Sequence, residues 1–215
     1  DLQTARIGGY FAFDPRSDLV VSAIAGRSTE RMYLRDDASW FFEDRESLQS
    51  FEAQYAYRGS SAQVLAGVSA YHNATTLEDS DYGVSDLDTR ERSVYAFATF
   101  TGLPAGFVPQ VGLSYDTYDR TGRHLAEFNP HIGLVTGQAG GLQLNDPKLG
   151  LVWSLPTRTT IRAAAFRTTK RTFIADQTLQ PTQIAGFNQL YDDLNGARSK
   201  FAGVGIDQKF TNGTF

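Results

Sequence analysis

The chain has 215 residues, a formal net charge of −4 and no cysteine, which rules out a disulfide framework or a thiolate metal site. Lysine and arginine are dispersed among aspartate and glutamate, so there is no basic stripe to neutralise phosphates and nucleic acid is not expected as a partner. A mean hydropathy of −0.32, with no apolar run near the ~18 residues of a membrane helix, excludes a helical membrane protein but not a membrane β-barrel, whose strands average a lipid face with a wet one.

Twenty glycines beside 15 Phe and 10 Tyr point to strands and turns. Alternation of period two predicts a first strand over Thr4 to Phe13, with Ala5, Ile7, Gly9, Phe11 and Phe13 on one face. The turn "DPRSD" leads to a second strand over Leu19 to Leu34, and a long polar connection near 35–49 follows. Phe51, Ala53, Tyr55 and Tyr57 then alternate with Glu52, Gln54, Ala56 and Arg58, and after "RGSS" the alternation resumes at Val64, Ala66, Val68 and Ala70. This reads as an antiparallel hairpin.

A second long, acidic connection is expected near 77–91, before the strand "RSVYAFATF". "TGLPAGF" turns that strand into "VPQVGLSYDTY", and residues 119–145 admit either one loop or an extra hairpin. "DPKLGLVWSL", the turn "PTRTT" and "IRAAAFRTTKRTFI" form the next pair, with Leu149, Leu151, Trp153 and Leu155 on one side. The longest loop is expected over 175–198, ahead of a last strand, "SKFAGVGIDQKF". Loops of this size in a compact domain are usually either functional or disordered.

About nine strands of roughly 9 to 16 residues are visible, beyond the soluble mode of about 5 to 6. Short turns alternate with long connections, the pattern of bacterial outer-membrane barrels, whose strands need about 9 to 11 residues to span. The expected fold is thus all-β: an antiparallel up-and-down transmembrane barrel, read as one segment of a larger barrel truncated at both ends. Lipid-facing candidates are Phe11, Phe51, Tyr55, Leu113, Leu149, Leu151, Trp153, Val204 and Ile206. Phe13, Tyr33, Trp40, Phe41, Tyr57, Phe100, Phe107 and Tyr118 join Phe11 and Trp153 as candidates for interfacial girdles. Lumen-lining candidates are Glu52, Gln54, Arg58, Gln110, Asp116, Arg162, Lys200, Asp207 and Lys209, with Gly8, Gly67, Gly112, Gly150, Gly203 and Gly205 on the same non-aromatic face. A soluble β-sandwich or lipocalin-like barrel alternates in the same way and is the competing reading.

The stretch from Asn145 to Asp193 resembles the membrane barrels of TonB-dependent receptors, and is more similar to the C-terminal barrel of some bacterial tetratricopeptide-repeat outer-membrane proteins. Asn145, Lys148, Leu149, Gly150, Leu151, Trp153, Arg162, Ala163, Leu179, Pro181 and Thr182 carry the likeness, which covers Asp146 to Phe210. It implies an outer-membrane location, membrane lipid and lipopolysaccharide as surroundings, and a plug domain, a TonB-type energy coupler or a periplasmic repeat domain as partners outside these residues. Asp146 departs from the family's Asn-Pro pair by standing between Asn145 and Pro147.

Signals for catalysis are weak. His72, His124 and His131 lack ligand spacing, no G-x-S-x-G elbow occurs, and the acids Glu78, Asp79, Asp81, Asp86 and Asp88 do not follow a calcium-loop spacing. No enzyme activity and no cofactor are expected. The function read from the chain is a receptor or pore for a solute, with an anchoring barrel that conducts nothing as the alternative.

Overall fold

A computed structural model of the chain describes residues 2–34, 37–80, 83–123, 140–170, 178–189 and 197–210. Eight strands follow one another as antiparallel neighbours: β1 (Leu2–Asp14), β2 (Ser17–Leu34), β3 (Asp37–Arg58), β4 (Ala62–Asp79), β5 (Gly83–Phe100), β6 (Phe107–Arg123), β7 (Gly140–Ser154) and β8 (Thr159–Thr169). Two short strands, β9 (Gln183–Ile184) and β10 (Phe187–Asn188), make a separate hairpin, and β11 (Arg198–Gln208) returns beside β8. The result is an all-β, nine-stranded antiparallel up-and-down sheet. It is not closed: among the described residues β1 pairs only with β2, and β11 only with β8.

The strands β1 to β7 are longer than expected. β3 has 22 residues and β2, β4 and β5 have 18 each, so β3 alone spans about 70 Å at ~3.3 Å per residue. The segments 35–49 and 77–91, expected as loops, are mostly strand: β3 begins at Asp37, β4 runs to Asp79 and β5 begins at Gly83. The reason is cross-strand pairing of the charges that suggested loops. Arg31 and Arg45 both reach Glu43, at 2.6 and 2.5 Å, and Arg45 also lies 3.6 Å from Glu78. His72 bonds Asp88 at 2.7 Å, and Thr76 donates to Asp86 at 3.0 Å. The dispersed acids are thereby paired along a hairpin rather than gathered. Of residues 119–145, those to Arg123 belong to β6 and those from Gly140 to β7, while 124–139, with His124 and His131, lie outside the described residues.

Register sorts the residues into two faces. One carries Phe11, Phe51, Tyr55, Leu113, Leu149, Leu151, Trp153, Val204 and Ile206, most of them open: Leu149 is 60% exposed, Val204 72% and Ile206 69%. Ladder rows such as Ala23–Phe51–Ala70 and Leu151–Ala163–Val204 continue this face from strand to strand. Its apolar stretch covers five to nine residues of each strand, at the end carrying the short turns, which is about 17–30 Å of strand length. Beyond it the same face turns polar, with charges on β2, β3, β5, β8 and β11. Phe13, Tyr57, Phe100, Phe107 and Trp153 lie at its turn-end edge, where Trp153 Nε1 donates to Ala105 O at 3.2 Å.

The other face is polar and glycine-rich, as expected, but not free of aromatics. Tyr71, Tyr95, Phe97, Tyr118 and Phe166 are buried there, so Tyr118 is no girdle residue. The glycines are where the rings lie. A Cβ on Gly67 would stand 2.5 Å from Tyr95 Cζ, and one on Gly112 2.6 Å from Phe97 Cδ1; both are cross-strand partners of those rings. The absent side chain lets the ring fold flat over the neighbouring strand.

Candidate functional site

The polar face is occupied by the chain's own segment 178–189. Glu52, on β3, accepts hydrogen bonds from Thr178 Oγ1 at 2.8 Å and from the Leu179 N–H. Two residues on, Gln54 Nε2 donates to Leu179 O and to Tyr95 Oη, the latter at 3.2 Å. From β6, Gln110 Oε1 accepts the Ala185 N–H at 2.7 Å. Within the segment, Gln189 N donates to Thr182 O and Gln189 Nε2 to Pro181 O, at 2.8 and 3.0 Å. These bonds satisfy backbone groups that burial would otherwise leave unpaired.

Ile184 and Ala185 are each 2% exposed and pack with Tyr95, Phe97, Ala164 and Phe166 into the one apolar cluster of buried residues among those described. Gly150 makes the approach possible, since a Cβ there would lie 2.6 Å from Ile184 Cγ2. At the far side Phe187 meets Phe201 at 5.2 Å between centroids, Phe201 stacks on Phe166 at 4.8 Å, and the Arg162 guanidinium stands 5.6 Å over Phe187. Arg162 is in turn held by Asp207 at 2.7 and 2.9 Å.

One short segment therefore touches β3 through Leu179 and β11 through Phe187. These strands are six steps apart in the sheet order, about 29 Å along the sheet at ~4.8 Å per step. Leu179 and Phe187 are separated by a few residues and a hairpin, so the polar face curls around the segment and is the concave one. Spaces of about 400 Å³, bounded by Gln54, Gln63, Phe97, Gln110 and Ile184, and about 330 Å³, bounded by Arg6, Ser22, Glu52 and Leu179, flank it.

Most of the anticipated polar residues meet here. Glu52, Gln54 and Gln110 hold the segment, Arg162 and Asp207 pair beside it, and Arg58 is ion-paired to Asp18 at the turn end. Asp116 is buried on the same face, 3% exposed, and accepts from Ser114 Oγ at 3.0 Å. Lys200 is a correction. It pairs with Arg167 across β11 and β8, while the next residue, Phe201, pairs with the concave Phe166; Lys200 therefore shares the convex face of Val204 and Ile206. Lys209 lies one residue past the end of β11 and lines nothing in the ladder. The loop 175–198, expected as an external ligand-facing element, is turned inward over 178–189.

Two buried charges were not anticipated as a pair. The β7–β8 ladder reaches no higher than Lys148 and Phe166, and above it Asp146 and Lys148 fill the gap, 1% and 2% exposed. Lys148 Nζ donates to Arg167 O and Asp146 O, both at 3.2 Å, and to Ser114 Oγ at 3.4 Å. The Asp146 carboxylate takes Thr169 Oγ1 at 2.6 Å and Arg198 Nε at 3.2 Å. Side chains here replace ladder bonds, which gives the Asp in "NDPK" a structural task. Its period-two parity with Lys148 was the available signal.

Away from the apolar band, adjacent carboxyls on β3 differ. Hydrogen bonds from Arg31 and Arg45 hold Glu43, on the convex face, below the usual range. Burial, then the charges of Glu46 and Glu30, push the concave Asp44 up to about 6. Among the described residues no three His, Asp or Glu side chains are placed to hold a metal ion.

Comparison of the chain with protein-family models, with curated proteins and with solved structures found no match. Its class rests on the fold alone: an all-β, antiparallel up-and-down sheet protein with an apolar convex face and a polar concave one.

Proposed function

We propose that the chain forms wall of a β-barrel in a bacterial outer membrane and acts without catalysis, as part of a receptor or pore whose passage is narrowed by residues 178–189. The observation carrying this reading is the sidedness of a single curled sheet. Phe51, Leu113, Leu149, Val204 and Ile206 stand 46–72% exposed on the convex side, on a contiguous apolar surface of a kind that soluble proteins rarely leave open. A soluble sandwich would cover that surface with a second layer. Hydrocarbon would cover it without one, and paired strands satisfy their backbone there. Along the apolar band, charges and amides are kept for the concave side, where water or a solute would run.

Segment 178–189 is the element that would set selectivity. It crosses the concave face on hydrogen bonds from three side chains of the wall, and the polar spaces beside it would be the route for a solute. In planar bilayers, the full-length protein is expected to conduct, and deletion of 178–189 to raise conductance. Unchanged conductance after the deletion would remove the segment from the account.

The same tethering favours the second reading, a barrel that anchors a periplasmic tetratricopeptide-repeat domain and conducts nothing. Membrane insertion without current, in both the full-length protein and the deletion variant, would select it.

A further inference from the structure

At the upper edge of the apolar band the convex face turns cationic within one step on four strands. The next convex residue after Ala25 on β2 is Arg27; before Val94 on β5 it is Arg92; after Ala165 on β8 it is Arg167; before Ala202 on β11 it is Lys200. These four cations differ from those higher on the same face. Arg31 and Arg45 have Glu43, and Arg90 has Asp88 at 3.0 Å, whereas none of the four joins an ion pair among the described residues. Arg167 and Lys200 stand directly opposite each other in the β8–β11 ladder. Like charges at such positions destabilise a sheet. The carboxylate nearest in register, Asp146, is turned into the β7–β8 gap and committed to Thr169 and Arg198.

An anion between Arg167 and Lys200 would reverse the sign of that repulsion. Just below them the face is Ala165–Ala202, then Ala163–Val204 and Ile161–Ile206, all apolar. A ligand matching both parts has an anionic head on an apolar tail. Resting on the membrane reading above, we propose that Arg167 and Lys200 form a docking site for the phosphate of a membrane lipid in the leaflet on the long-hairpin side, with its acyl chains against Ala202, Val204 and Ile206. The guanidinium supplies a planar two-toothed fork for phosphate oxygens and the ammonium a mobile point charge. Arg92 and Arg27 extend the same level along the wall for neighbouring headgroups. An acidic protein would satisfy the cations but leave the apolar rows beneath them uncovered.

The test uses the full-length protein inserted into vesicles of phosphatidylcholine alone or mixed with phosphatidylglycerol, then extracted in neutral detergent, with co-purifying lipid measured by mass spectrometry. Wild type is expected to retain phosphatidylglycerol over phosphatidylcholine. The Arg167→Gln/Lys200→Gln variant should lose that preference by on the order of 30-fold, the product of two basic residues at a charged lipid surface. It should still insert into phosphatidylcholine, and unfold there at the same or a higher temperature, because the repulsion is gone. Arg90→Gln, which removes an equally convex but paired cation, should keep the preference. Equal retention by wild type and the double variant, or loss of preference in Arg90→Gln as well, would overturn the site while leaving the barrel reading intact. Failure of wild type to insert into either vesicle would overturn both.

Discussion

Glu43 and Asp44 are neighbours in sequence and opposites in environment, because a strand sends them to different faces. The raised value of Asp44, about 6 against 3.8 for an unperturbed Asp, fixes the sign of its effect. Between these values the folded chain holds a proton that the unfolded chain has released, so stability falls as pH rises from about 4 to about 6 and is flat above. Asp44→Asn should therefore raise the unfolding temperature at pH 7 and have no effect at pH 4, as read by thermal unfolding across that range. Equal effects at both pH values would refute the burial argument. Gly112→Val makes the complementary case: its Cβ would collide with Phe97, and the loss of stability should be about 1–3 kcal/mol or more. At this scale period two was legible for every glycine named on the polar face and for every apolar residue assigned to the other. It failed for Lys200, where polarity was followed instead of parity with Val204, and for Tyr118, where ring chemistry suggested an interface but register places the ring inside.

Elements show the same division between pattern and partner. Strand starts near the short turns were legible because Gly, Pro, Asp and Ser cluster there; Asp14, for instance, accepts the Arg16 N–H at 2.7 Å and Ser17 Oγ at 2.5 Å, bonds that hold its carboxyl below the usual range. Strand ends at the far side were not legible, since alternating Arg, Glu and Asp resembles a loop until the opposite strand supplies counter-charges. The inward turn of 178–189 was hidden for a different reason: its anchors, Glu52 and Gln110, lie far away in sequence. Glu52→Ala removes a charged acceptor from Thr178 Oγ1 and Leu179 N. Such bonds contribute about 1.5–3 kcal/mol, so amide exchange over 178–189 should accelerate by roughly 10- to 100-fold. Exchange that stays as slow as in wild type would mean that Gln54, Gln110 and the packing of Ile184 hold the segment without Glu52.

For the whole molecule, the open edges of β1 and β11 matter as much as the faces. Among the described residues each is an outer strand with no neighbour on its far side, over 13 residues in β1 and 11 in β11, a template for pairing with other chains. Residues 1–215 expressed alone in water should self-associate, and size-exclusion chromatography should find no stable monomer; a monodisperse monomer would argue that the edges meet or that the apolar face is covered. All-β class, strand count and up-and-down order could be read from the sequence because they follow from alternation and turn spacing. Curvature could not, since it depends on which residues the concave face encloses.

Which solvent each face meets can be measured position by position, because the chain has no cysteine. Single cysteines at Leu113, Ser114, Leu149, Val204 and Gly205 in the full-length protein, reconstituted with chain-brominated lipid and labelled with a small fluorophore, report contact with hydrocarbon as quenching. Strong quenching is expected at Leu113, Leu149 and Val204 and little at Ser114 and Gly205. Uniform quenching, or labels at Leu113, Leu149 and Val204 that respond only to a water-soluble quencher, would contradict it.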